Sequence, residues 1–274
     1  MNILIVDRDM IAAQPLISYL EGAGYSVAYE SVRKTALERL NSEHFDVILI
    51  DPAPLPSVRE FTMPLRWEQK DNYFYMILAG HDFSDYDVVH SGMNAKIAKP
   101  YNFDEIEEKL TDAKRLNHFM NGLNHGDSGM TDTKIFGQRA LYQLVLSALD
   151  RAYRYNEQAF LLVISVPNLK EISQRHGAEV VGQLNEAMGD YLSKLHRLSD
   201  FLARDDEGDF VLLILRPAAD SEPYDAIDRF RIALEDFQSQ INLQIKPEFQ
   251  LELWSLPAAK LEQKFELKFS EGRR

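Results

Sequence analysis

Three ionisable residues stand where apolar runs stop. Asp7 follows Asn2 to Val6, Asp51 follows Phe45 to Ile50, and Lys99, with Pro100 behind it, follows Ala95 to Ala98. If these runs are parallel strands of one sheet, the two carboxylates and the ammonium converge at its carboxyl edge, where such folds bind ligands. That set suits a phosphorylation pocket: carboxylates to hold Mg2+, an Asp to attack a phosphoryl donor, a Lys to balance the charge of the product. A second concentration of charge is Asp205-Asp206-Glu207-Gly208-Asp209, lying between the apolar runs Phe201 to Arg204 and Phe210 to Arg216. A turn this acidic repels a triphosphate unless a metal intervenes.

The elements that must position these residues follow from hydrophobic periodicity. In the first part of the chain, short and wholly apolar runs alternate with segments of helical spacing: Ile11 to Leu20, closed by Glu21-Gly22-Ala23-Gly24, then Tyr25 to Tyr29, Ser31 to Leu40, Tyr73 to Ala79, and Asp104 to Leu116. Strands alternating with helices predict an α/β domain with a doubly wound, flavodoxin-like parallel sheet over residues 1–116. Residues 117–131 dissolve into a polar, glycine-rich stretch read as a linker, whose first half alternatively prolongs the preceding helix into a stalk that packs two copies together. Beyond it the rhythm changes to a helix from Gln138 to Tyr155, a strand from Ala159 to Val166, a long helical region from Leu169 to Leu195, the hairpin, a helix from Tyr224 to Ile241 and a strand from Phe249 to Trp254. This order predicts an α+β, palm-like domain over residues 132–258, with 259–274 as a charged, solvated tail.

Composition narrows the function classes. The 274 residues are 45% hydrophobic, more than one typical core accommodates, and two domains are expected. A net charge of −13 argues against nucleic acid as a partner. The absence of cysteine excludes disulfides, thiolate metal sites and cysteine nucleophiles. No apolar run approaches the roughly 18 residues of a membrane span, and Met1 leads into strand pattern without a basic leader, so a cytoplasmic protein with no membrane contact is expected. The histidines at 44, 81, 90, 118, 125, 176 and 196 show no metal-ligand spacing.

Over about residues 1–116 the chain resembles the response-regulator receiver family, through Ile3-Leu-Ile-Val-Asp7, Val47-Ile-Leu-Ile-Asp51 and Lys99-Pro100. The resemblance implies that Asp51 is the phosphoacceptor, Asp7 an acidic-pocket residue, Lys99 the pocket lysine, and Asp7 with Asp51 the holders of Mg2+, with a cis peptide before Pro100. The chain departs from the family at three places. Arg8 replaces the acidic residue that touches the metal, Ala79 the switching hydroxyl, and Lys96 the switching aromatic. The alternative to a phosphorylation pocket is that Asp7 and Asp51 pair with Arg8 and Lys99, and ion pairs alone close the site.

Over about residues 132–258 the resemblance is to the GGDEF domain, carried by Thr133 to Leu141, Leu161 to Gly177, and Arg204-Asp-Asp-Glu-Gly-Asp-Phe210. Active members condense two GTP molecules into cyclic di-GMP with Mg2+ held by carboxylates. Against that pattern Ser165 stands at the first-strand metal position with Pro167 at the next acidic one. Asp206 and Glu207 replace the two glycines, Gly208 the third, acidic position, and Asp209 the Glu before Phe210. Ser173 and Gly182 stand at the guanine-reading positions. The resemblance further implies an inhibitory cyclic di-GMP site at Arg197 and Asp200, a pair whose guanidinium and carboxylate suit the edge of guanine; a plain surface salt bridge is the competing reading. The expected function is non-enzymatic signal transduction with signalling-protein partners and the GGDEF half as an interaction or dimerisation module. A cyclic di-GMP receptor and an active diguanylate cyclase are the alternatives.

Overall fold

The structure, a computed structural model, describes residues 1–55, 57–68, 73–81, 83–124, 135–197, 199–205, 207–240 and 245–268, the side chains of 67, 68, 124 and 240 excepted. The chain divides into two compact units. One comprises Met1–Asn121, Leu149–Glu157 and Pro257–Ala259; the other comprises Gly122–Ala148, Gln158–Leu256 and Lys260–Arg274.

The first unit contains β1 (Asn2–Val6), α1 (Met10–Gly22), β2 (Ser26–Glu30), α2 (Arg33–Leu40), β3 (Val47–Ile50), α3 (Arg59–Glu68), β4 (Tyr75–Ala79), α4 (Asp85–His90), β5 (Ala95–Ile97) and α5 (Phe103–Asn124). The strands form one parallel sheet in the order β2-β1-β3-β4-β5, so the chain reverses direction across the sheet at β1 and β3. The apolar runs are continuous because both faces are covered. Leu4, Val6, Ile48, Ile50, Met76 and Leu78 join Ala36, Leu65 and Val88 in one core, while Ile3, Ile5, Val47, Leu49 and Ile77 are as deeply buried on the other face. This is the doubly wound fold the alternation predicts, with the receiver-like strand order.

The expected end of this domain at 116 needs correction. Helix α5 continues to Asn124 and buries Leu116, Phe119, Met120 and Leu123 within the chain. Asn117, which reads as the first linker residue, is 5% exposed, and its Nδ2 donates to the Asp46 carbonyl at 2.7 Å. The helical alternative for 117–124 is therefore the observed one. Residues 125–131 lie outside the described residues.

The second unit is built on an antiparallel sheet in the order β10-β9-β6-β8-β7. Its elements are α6 (Gln138–Tyr155), β6 (Ala159–Ser165), α7 (Leu169–His176), α8 (Ala178–Leu192), β7 (Phe201–Arg204), β8 (Phe210–Leu215), α9 (Glu222–Gln240), β9 (Phe249–Leu256) and β10 (Lys260–Leu267), the last residues of α6 being assigned to the first unit. Leu162, Ile164, Leu202, Phe210, Leu212, Phe249, Leu251 and Leu253 pack on Ile172, Leu184, Met188, Ile227, Phe230 and Leu234 from α7, α8 and α9, while Leu161, Val211 and Leu213, which alternate with them on the opposite face, are buried as well. The single helical region expected from 169 to 195 is two helices, because Gly177 at φ +90° ends α7 and opens α8. At the outer side of β7, Phe136 bridges Ala203: its N–H donates to the Leu202 carbonyl at 3.0 Å and its carbonyl accepts from the Arg204 N–H at 3.2 Å.

The charged tail is the second correction. Residues 260–267 form β10, paired antiparallel with β9 through a bulge between Leu261 and Gln263. Phe265 and Leu267 reach the core, while Lys264 pairs with Glu252 on the neighbouring strand. Alternation of apolar and charged positions makes a half-buried edge strand of a segment whose net composition reads as solvated.

Candidate functional site

At the carboxyl edge of the parallel sheet, β1, β3 and β5 deliver Asp7, Asp51 and Lys99 to one point. The Lys99 Nζ donates to Asp7 Oδ2 at 2.6 Å and also to Asp51 Oδ2. The remaining carboxylate oxygens accept backbone N–H groups: Asp9 to Asp7 Oδ1 at 2.9 Å and Ala53 to Asp51 Oδ1 at 2.6 Å. Asp7 is 3% exposed, and the Lys99–Pro100 peptide is cis, as expected. Burial works against the Lys99 charge, but its bonds to Asp51 and Asp7 outweigh burial and raise the ammonium above its ordinary range. Two residues absent from the sequence reading complete the pocket. The Tyr29 hydroxyl donates to the Asp7 carbonyl at 2.6 Å, and the Tyr101 ring lies 5.8 Å from Lys99 Nζ. Tyr101 stands two residues beyond Lys99, close enough in sequence to have signalled its place.

Arg8 does not enter this arrangement. It is exposed and forms no ion pair among the described residues, so of the two expected cation partners only Lys99 closes the pocket. Asp9 is no substitute metal ligand, because its carboxylate caps α1 by accepting the Ala12 N–H at 3.0 Å. Ala79 is fully buried, and the Lys96 Nζ bonds the Phe83 carbonyl at 2.7 Å and Asp85 at 2.8 Å. Among the described residues no three His, Asp or Glu groups are placed to share an ion. With the Asp9 carboxylate capping α1, Asp7 and Asp51 are the two carboxylates of the pocket, and each accepts from Lys99.

In the antiparallel sheet, Ser165 at the end of β6 stands opposite Gln250 of β9, and the β7–β8 turn lies beside them. The turn is tied to itself. The Asp209 N–H donates to Asp205 Oδ1 at 2.8 Å, the Asp205 N–H to the Asp209 carbonyl at 3.0 Å, and Arg204 Nε to the Gly208 carbonyl at 3.0 Å. Burial, then the neighbouring Asp205 and Glu207, push the Asp209 carboxyl up to about 7. Burial also lowers the Arg204 guanidinium against the pull of Asp205 and Asp209. Phe210 is 2% exposed in the core, Glu207 is exposed, and Asp206 lies outside the described residues. Ser173 lies on α7 and Gly182, exposed, on α8.

Within the candidate dinucleotide pair the Asp200 N–H donates to the Arg197 carbonyl at 3.1 Å, while the two side chains have different neighbours. Arg197, half exposed, forms its ion pair with Glu222 at the start of α9. Asp200 is 6% exposed, its carboxyl accepts from the Ser199 hydroxyl at 3.3 Å, and burial raises it above the ordinary carboxylate range. Glu222 is a partner that sequence spacing does not reveal, since it lies in a different element.

Residues 131–253 match the family model described as "Diguanylate cyclase, GGDEF domain". Among solved structures, the chain is similar to the receiver domain of the TMAO respiratory system response regulator TorR, with 21% identity over 42% of this chain and 98% of that one and a TM-score of 0.38. A chemotaxis response regulator of Vibrio cholerae is 22% identical over 41% of this chain and 97% of its own, with a TM-score of 0.37. A GGDEF-only form of TpbB, or YfiN, from Pseudomonas aeruginosa is 22% identical over 43% and 70%, with a TM-score of 0.38. No curated protein matches the chain.

Proposed function

We propose that this chain, a signalling protein joining a receiver-like domain to a GGDEF domain at residues 131–253, works without making cyclic di-GMP. The observation carrying this reading is the sheet end around the β7–β8 turn. Ser165 faces Gln250 where an ion-holding carboxylate is required, and the turn is closed on itself by Arg204, Asp205 and Asp209. A triphosphate brought there meets the carboxylates of Asp205 and Glu207, and Ser165 offers no charge to hold a divalent ion between them. The GGDEF half then acts as a surface for a protein partner or a second copy, and the receiver-like half as the other docking module.

The direct test is incubation of the full chain with GTP and Mg2+, followed by chromatography of the nucleotides. GTP should be recovered unchanged at high protein concentration and long times. Accumulation of cyclic di-GMP in proportion to protein would overturn the reading.

A further inference from the structure

We infer that Tyr75, Asn94 and Arg115 form a recognition site for the main chain of a peptide turn, filled in this protein by its own Pro257-Ala258-Ala259, the three residues between β9 and β10. Those residues belong to the first unit, and the site lies wholly within it. The proposal above concerns nucleotide chemistry and plays no part in this one.

Three successive carbonyls each receive a different side chain. Asn94 Nδ2 donates to the Pro257 carbonyl at 2.8 Å, the Tyr75 hydroxyl to the Ala258 carbonyl at 2.8 Å, and Arg115 Nη1 to the Ala259 carbonyl at 2.7 Å. The donors come from separate elements: Tyr75 opens β4, Asn94 stands immediately before β5, and Arg115 lies on α5. Tyr75 and Asn94 are 0% and 3% exposed, and Pro257 and Ala259 are buried too. A buried donor needs an acceptor, so these bonds are requirements of the fold. Asn94 Oδ1 accepts the Met76 N–H at 2.8 Å and bonds the Arg66 guanidinium, while its Nδ2 donates to the Tyr73 hydroxyl at 2.7 Å and to Pro257. Both N–H groups of that amide are therefore satisfied with the turn in place, and one loses its acceptor without it. Burial pushes the Tyr75 hydroxyl well above its ordinary range, which keeps it protonated and a donor. Arg115 Nη1 is oriented by Asp112 Oδ1 at 2.8 Å, on a carboxylate residue itself 4% exposed. Ala259 adopts φ +55°, a backbone conformation costly for alanine, and its bond to Arg115 helps hold it there. Recognition runs through carbonyl oxygens, and the side chains offered are the small ones of Pro257, Ala258 and Ala259. A receiver-like piece ending at residue 124 would lose all three acceptors, so that half is not a self-sufficient module.

The test is hydrogen–deuterium exchange of the full chain, read by mass spectrometry in the wild type, in Tyr75→Phe, and in a variant with two glycines inserted between Ala258 and Ala259. Tyr75→Phe removes one hydroxyl from β4, yet exchange should quicken by about fivefold or more across residues 257–262, with β8 unchanged. The insertion shifts the carbonyls out of register, and exchange should quicken by a similar factor in β4 and across residues 93–97, again with β8 unchanged. Unaltered exchange at 257–262 in Tyr75→Phe, or in β4 and 93–97 of the folded insertion variant, would overturn the inference. So would an equal acceleration in β8, since the turn would then serve general stability and not this site. If the insertion variant does not fold, the hydroxyl deletion decides the matter by itself.

Discussion

The Arg204 guanidinium reaches across the β7–β8 turn and donates from Nε to the Gly208 carbonyl at 3.0 Å. Gly208 adopts φ +90°, and a Cβ there would lie 3.1 Å from Arg204 Nη2. The two residues therefore depend on each other: the glycine's missing side chain is what lets the arginine close the turn.

Gly208→Ala should cost about 1–2 kcal/mol in denaturant unfolding, from backbone strain at positive φ and displacement of Arg204. Arg204→Lys should also lose stability, because an ammonium lacks the planar fork that holds the carbonyl while covering the Phe210 ring, 5.5 Å away. Unchanged midpoints for both variants would remove this interdependence.

Asp209 gives the turn a pH dependence. Its carboxyl is raised to about 7, so the folded chain holds a proton that the unfolded chain has released from about pH 4 upward. Stability from this group is full below the unfolded value and falls as pH rises toward 7, by at most about 1.4 kcal/mol per pH unit. Asp112 and Asp200, also raised by burial, act in the same direction, so the informative quantity is the difference between wild type and Asp209→Asn. That variant should show a shallower decline from pH 4 to 7, and parallel curves would exclude Asp209 as a contributor.

Cyclic di-GMP should produce no binding heat in calorimetry with the wild-type chain. The Arg197 guanidinium is engaged by Glu222 and the Asp200 carboxyl is buried beside Ser199, so a guanine would have to displace both contacts. Measurable heat that disappears in Arg197→Ala would restore the receptor reading.

Phe265→Ser should destabilise the second unit by about 1–3 kcal/mol, because Phe265 packs on the core and under Arg231, 5.5 Å from the ring centroid. A solvated tail would tolerate the change, so an unaltered unfolding curve would count against β10 as a structural strand.

How far such features can be read from residues alone depends on whether their partners are local. The parallel strands and α6 were legible because burial on both faces writes continuous apolar runs, and because Leu141, Val145, Ala148, Leu149 and Ala152 recur at helical spacing. Helix α5 past residue 116 reads as a linker because the stretch from Asn117 is polar and glycine-rich, whereas the bond from Asn117 to the distant Asp46 carbonyl exists only in the fold. Strand β10 was hidden by the bulge that breaks its alternation and by charges that pair with Glu252 across the sheet. At the pocket, Asp7, Asp51 and Lys99 were placed together correctly from strand ends, but the sequence could not tell that Lys99 alone bridges both acids while Arg8 stays outside. The same limit hid Glu222, whose claim on Arg197 exists only after α9 has folded.

The Phe136 bridge has a bearing on how this protein behaves at high concentration. By occupying hydrogen-bonding groups along β7, it leaves that flank of the antiparallel sheet a poor template for an incoming strand. The opposite flank, β10, carries Lys260, Lys264 and Glu266 at exposed positions, charges that a stacking strand of unrelated sequence would strip of water. Fibre growth from either side is thereby discouraged, in a chain whose strands would otherwise be among its most aggregation-prone segments.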